Sequence, residues 1–147
     1  MTDKEYGPIV IGKLMNIGGM LQKKSNQMFA PFDLNQQQFS ILFEINRAGR
    51  VNQTEMVNKL LLEKAHVSKV IKKLRGLALI EVSVCEEDKR SSWLSITQKG
   101  SATVKQCQTS IDAWNKKWLS AVKAEDRQPV LDSVALLQDL FRNNLAE

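Results

Sequence analysis

Residues 64–77 read KAHVSKVIKKLRGL, and the reading of this segment decides the fold. Val67, Val70, Ile71, Leu74 and Leu77 recur at three- and four-residue steps and so line one side of a helix. The opposite side carries Lys64, His66, Ser68, Lys69, Lys72, Lys73 and Arg75. One face seeks a core, and the other suits phosphates or base edges. Immediately upstream, Asn52 followed by Glu55 matches a capping box, in which each side chain reaches a backbone donor of the first turn. The pattern predicts a helix starting near Gln53 with a buried face of Met56, Val57, Leu60 and Leu61, and only Leu62 and Glu63 before the basic helix. Two short helices joined so tightly cross steeply.

Downstream, Ile80, Val82 and Val84 alternate with Glu81 and Ser83, and Leu94 and Ile96 alternate with Trp93 and Ser95, the period of half-buried strands. Cys85–Ser91 between them holds Glu86, Glu87, Asp88, Lys89 and Arg90, so the pair reads as a hairpin with a charged tip. Two short helices, a basic face and a charged hairpin make a winged helix-turn-helix, a module that holds double-stranded DNA.

The segments EKAHVSKVIKKL, LIE, EEDKR and SITQKG, taken in order, resemble the MarR family of winged-helix transcriptional regulators. The wing residues Asp88-Lys89-Arg90 followed by Ile96-Thr97 and Gly100 are the most specific part of the resemblance, which extends from about Leu34 to Gly100. Ala78 stands where the family commonly ends the recognition helix with Gly, and Val82 where Arg is common. His66 and Lys69 stand where a small hydroxyl and an Arg are frequent, so the preferred DNA sequence does not carry over from relatives.

The chain has 147 residues, enough for one domain with a core, and 43% of them are hydrophobic. It shows no basic-then-apolar leader and no apolar run long enough to cross a bilayer, so a soluble, cytoplasmic protein with no membrane partner is expected. The net charge is +5. The excess is clustered, with Lys59, Lys64, Lys69, Lys72, Lys73 and Arg75 set against Glu63 alone between residues 59 and 75. The two cysteines, Cys85 and Cys107, are too few for a disulfide framework and read as small apolar residues, the other reading being a redox switch.

Met1–Gly7 is polar and reads as loose. From Pro8 the apolar set Ile11, Leu14, Met15, Ile17, Met20, Leu21 and Met28 predicts a helix to about Phe29, with Gly18-Gly19 costing roughly 1 kcal/mol each relative to Ala. Ala30-Pro31-Phe32-Asp33 breaks it. Asn35 and Gln38 form a second capping box, opening a buried helix through Phe39, Ile41, Leu42, Phe43 and Ile45 that ends before Gly49. Thr97 caps the next helix, where Val104, Cys107, Ile111, Trp114, Trp118, Leu119 and Val122 repeat over about seven turns. Glu125 or Asp126 caps the last, with Pro129 in its first turn and a stripe of Val130, Leu131, Val134, Leu137, Leu140 and Phe141. The expected fold is mainly α: a single domain over 1–147 with a winged helix-turn-helix at 34–100, flanked by helical regions at 8–30 and 98–147 that form a homodimer.

On this reading Lys64 and Lys89 contact DNA, His66, Ser68 and Lys69 touch base edges, Lys59, Lys72 and Lys73 face phosphates, Arg90 reaches the minor groove from the wing, and Asp88 holds the wing turn by pairing with Arg90 or capping a backbone amide. A cationic helix face standing alone is usually just solvated; the preceding helix, the short turn and the hairpin tip the balance here. Two subunits related by a two-fold axis would read an imperfect palindrome, and the chain is expected to be a dimeric repressor modulated by a small effector or a partner protein. The resemblance implies effectors that are often aromatic or phenolic, for which Met15, Phe43, Trp114 and Trp118 are the candidate lining. The rival is a protein-interaction adaptor with an incidental basic face. No cofactor, metal site or enzyme activity is expected, because the one His lies among lysines and no phosphate loop, zinc-ligand pair or catalytic grouping occurs.

Overall fold

The computed structural model describes residues 1–144. Its elements are α1 (Asp3–Phe29), a 3₁₀ turn (Ala30–Phe32), α2 (Gln36–Ala48), β1 (Arg50–Asn52), α3 (Gln53–Leu60), α4 (Lys64–Gly76), β2 (Ile80–Val84), β3 (Ser92–Ile96), α5 (Gln98–Leu119) and α6 (Ala124–Asn144). They fall into two units, one of Met1–Ser110 and one beginning at Ile111.

The core of the first unit forms around α2. Asn35 accepts from the Gln38 N–H and Gln38 Oε1 from the Asn35 N–H, both at 2.9 Å, so the expected capping box is present. Asn26 of α1 adds a third cap, accepting from the Gln36 N–H at 2.8 Å. With its start fixed in this way, α2 encloses Ile41, Leu42 and Ile45 together with Met56 of α3, Leu74 of α4 and Leu94 of β3. Each such side chain contributes about 1.5–3 kcal/mol through removal from water. Phe29 stacks on Phe39 with ring centres 4.2 Å apart and seats the end of α1 on α2. At the far end Gly49 turns at φ 73° and leads into β1.

The three strands are antiparallel in the order β1-β3-β2, with Val51 and Val82 flanking Leu94 on either side. Residues 77–79 join α4 to this sheet. Ala78 adopts φ 60°, the left-handed region that costs a side-chain-bearing residue about 1–2 kcal/mol. All three carbonyls of the link are met from the start of α5. Lys99 Nζ donates to Leu77 O at 2.8 Å, Thr97 Oγ1 to Ala78 O at 2.8 Å, and the Thr97 N–H to Leu79 O at 3.1 Å. Thr97 Oγ1 also accepts from the Gly100 N–H at 2.9 Å, which makes it the expected cap of α5. Gly100 lies so close to Leu79 that a Cβ there would overlap the Leu79 carbonyl oxygen.

Several expectations are corrected. Met1–Gly7 is not loose: α1 begins at Asp3, where the Glu5 carboxylate accepts from the Thr2 N–H at 2.8 Å, and Pro8 is an interior residue. α1 runs through Gly18 and Gly19 without a break. The Asn52 cap is made to Thr54, not in a box with Glu55. Leu61 leaves the apolar face altogether, since it closes α3 at φ 53° with 81% of its surface exposed. The turn before α4 is therefore one residue longer than expected. β1 was not expected at all. In the second unit α5 stops at Leu119, leaving Val122 in the loop, and α6 starts at Ala124, so Glu125 and Asp126 lie in its first turn and Pro129 beyond it.

One charged group sits at the edge of the core. Glu44 of α2 is 9% exposed and takes Arg47 from its own helix and Lys59 from α3. The Arg47 hydrogen bond, helped by Lys59 and working against burial, lowers its pKa from 4.5 to about 2. A carboxyl depressed in the folded state stabilises the protein above its unfolded value and ceases to do so as pH falls from 4.5 towards 2. Glu44→Gln should flatten the fall in unfolding free energy over that interval in urea titrations at stepped pH; an unchanged pH slope would refute the ion-pair assignment. Gly100→Ala should cost about 3 kcal/mol in the same titrations, because the obstacle is backbone and has no rotamer to yield.

Candidate nucleic-acid interface

The buried stripe of α4, made by Val67, Val70, Ile71 and Leu74, fixes which way its other face points. Lys64, Ser68, Lys69, Lys72 and Arg75 are exposed on it. Among the described residues Lys64, Lys69 and Lys72 have no ion-pair partner, so their charges are free for an external anion. In the wing, Glu86–Arg90 are exposed between two buried ends, Cys85 and Ser91. Asp88 Oδ1 accepts from the Arg90 N–H at 3.0 Å, the backbone-capping arrangement that tightens a turn, and the Arg90 guanidinium makes no ion pair among the described residues.

A cleft of about 320 Å³ is lined by Lys64 and Ser68 of α4, Gln53 and Thr54 of α3, and Arg90 and Ser91 of the wing. Gln53 Nε2 donates to Ser68 Oγ across it at 3.3 Å. Cations from two elements far apart in sequence thus share one concave, unobstructed face.

Other expected site residues are placed differently. Lys59 is engaged by Glu44, and Lys73 leans towards the start of α2, donating to Gln38 Oε1 at 3.2 Å with Asp33 3.6 Å away. His66 is half-buried rather than free, and its Nε2 is enclosed without a hydrogen-bond partner. Of the expected effector lining, Met15 is 73% exposed beside an open groove between α1 and the first turn of α2. Phe43 does not line that groove; its ring lies 6.0 Å from Phe39. Trp114 and Trp118 pair with each other in the second unit at 6.4 Å. Both thiols are buried, and desolvation raises Cys107 to about 11, leaving it protonated and unreactive at neutral pH.

Two features had no sequence signal. The Arg50 guanidinium lies 4.3 Å over the Trp93 ring, a contact that depends on the register of a three-residue strand. Ser91 donates to Asn52 Oδ1 at 2.8 Å across 39 positions of sequence.

Comparison with known proteins agrees with this geometry. An HTH-type transcriptional regulator of Bacillus cereus is 23% identical over 131 residues, covering 89% of this chain and 87% of the relative. Among solved structures, a MarR protein from Peptoclostridium difficile superposes with a TM-score of 0.86 at 19% identity, covering 98% of this chain and 94% of that one. A mutant MarR from E. coli complexed with operator DNA superposes at 0.73 with 21% identity, covering 98% and 99%. These likenesses establish the fold, a mainly helical winged helix-turn-helix. No helix among the described residues is long and apolar enough to cross a membrane. The model of the MarR family matches residues 34–92, the segment that contains α2, the basic helix and the wing tip.

Proposed function

We propose that this chain is a DNA-binding transcriptional regulator that grips double-stranded DNA with α4 in the major groove and the wing tip along the neighbouring backbone. The observation that carries this reading is the shared cleft: Lys64 and Ser68 on one wall and Arg90 on the other present unpaired cations and hydroxyls to the same side. Lys64, Lys69 and Lys72 suit phosphates, and Ser68 and Lys69, exposed near the start of α4, suit base edges. Lys59 and Lys73 contribute less, because each already has an acceptor within the protein. His66 acts through packing at the base of the helix more than by direct contact.

The working form is a homodimer. Tyr6, Ile9, Met15 and Met20 of α1 and Val130, Leu131, Val134 and Leu140 of α6 all keep close to half or more of their surface in water, more large apolar side chain than a monomer leaves uncovered without cause. A second copy covering these helices would set two basic helices about one duplex turn apart and so read an imperfect palindrome, as a repressor. A small phenolic effector, by favouring a different spacing of the two helices, would release the DNA.

Selection of bound duplexes from a random pool tests the reading directly: recovery of a palindromic consensus is expected, and recovery of no consensus from excess competitor would leave the adaptor in its place. Arg90→Ala should weaken binding to all sequences and reduce the log-log salt slope by about 0.9, one phosphate's worth of released counterion. A slope equal to that of the unsubstituted protein would remove Arg90 from the DNA.

A further inference from the structure

We infer that Ser91, held by Asn52 and Thr54, is the positioning residue that ties the wing to the helix-turn-helix and so decides where Arg90 points. The inference rests on the DNA-binding reading above and concerns how that site is assembled. Asn52 Oδ1 accepts twice, from the Thr54 N–H at 2.9 Å and from Ser91 Oγ at 2.8 Å. A serine has one hydroxyl proton, and with it directed to Asn52, the 2.9 Å contact between Thr54 Oγ1 and Ser91 Oγ must have Thr54 as donor. Ser91 is 8% exposed, so these bonds form out of water, where leaving one unmade is costly.

The same residue closes the wing tip. Its N–H donates to Asp88 O at 3.0 Å, and its carbonyl accepts from the Cys85 N–H at 3.4 Å. Asp88 in turn holds the Arg90 N–H. The backbone bonds that close the tip on either side of Arg90 therefore lead, through Ser91, to the residue that caps α3. Without the Ser91 hydroxyl the tip loses its side-chain tie to α3 and is left with its own backbone bonds, which then open more often. Arg90 then samples a range of positions, and the contact it makes with DNA has to be fixed anew on each encounter.

The test measures affinity of the full chain for a random-sequence duplex across a salt series, for the unsubstituted protein, Ser91→Ala, Arg90→Ala and the double variant, alongside amide exchange without DNA. Ser91→Ala should lower affinity about five- to tenfold and bring the salt slope down to that of Arg90→Ala, with the double variant no weaker than Arg90→Ala alone. The amides of Cys85 and Ser91 should exchange faster while those of the α5 core keep their protection. A residue that merely supported the fold would change both regions together and would leave the salt slope alone; that outcome, or a slope and exchange pattern unchanged by Ser91→Ala, overturns the inference. If Arg90→Ala leaves the slope intact, the placing of the wing on DNA fails, and unchanged exchange in Ser91→Ala remains the separate refutation of the positioning role. Should Ser91→Ala not fold, Thr54→Val gives the same readouts from an exposed position, with a smaller shift in the same direction expected and no shift counting against the proposal.

Discussion

The junction where the first turn of α5 seats on residues 77–79 governs the rest of the molecule. Three successive carbonyls there find donors in Thr97 and Lys99, and the absence of a side chain at Gly100 lets the two backbones touch. Because those carbonyls follow directly from α4, the orientation of the basic helix is referred to α5 and not only to its apolar stripe. The sheet inherits the same reference, since β2 begins at Ile80 and β3 ends at Ile96, and these two residues are register partners. A single patch of polar contacts therefore aligns the helix that carries the lysines with the hairpin that carries Arg90.

Placement sorts the cations into two classes. Lys64, Lys69, Lys72 and Arg90 project from the edges of the cleft or the face beside it with no internal partner among the described residues. Lys59 and Arg47 instead neutralise Glu44 and strap α3 to α2, while Lys73 holds the start of α2. A sequence-wide excess of positive charge conceals this division, which only the fold reveals. The depressed Glu44 carboxyl is the electrostatic trace of the second class.

What could be read in the sequence was local or periodic. The Asn35-Gln38 box, the apolar stripe of α4 from Val67 to Leu74, the alternation of β2 and β3 and the Thr97 cap each depend on residues within a few positions of one another, and each is found, except that Val84 ends β2 with 69% of its surface exposed and Leu77 lies beyond the end of α4. The misreadings share a cause. Asn52 had the right residue at the right spacing for a box with Glu55, but its second acceptor site went to Ser91, 39 positions away. Lys59 looked like one more groove contact because Glu44 lies on another helix, 15 positions back. Leu61 counted as apolar face until the backbone turned left-handed beneath it, and β1 is too short for any alternation to show. At the proposed site the lysines of α4 were legible and the way the wing is tethered to α3 was not.

The left-handed turn at Ala78 has a consequence for how such a protein diversifies. A connector whose every carbonyl is engaged, and which touches a glycine of the next helix, cannot gain or lose a residue without rotating all that follows. The solvated tip between Cys85 and Ser91 is free of that restriction. Insertions and changes of charge can accumulate there while the ends stay fixed, so the reach and charge of the tip can change through the length and composition of one loop.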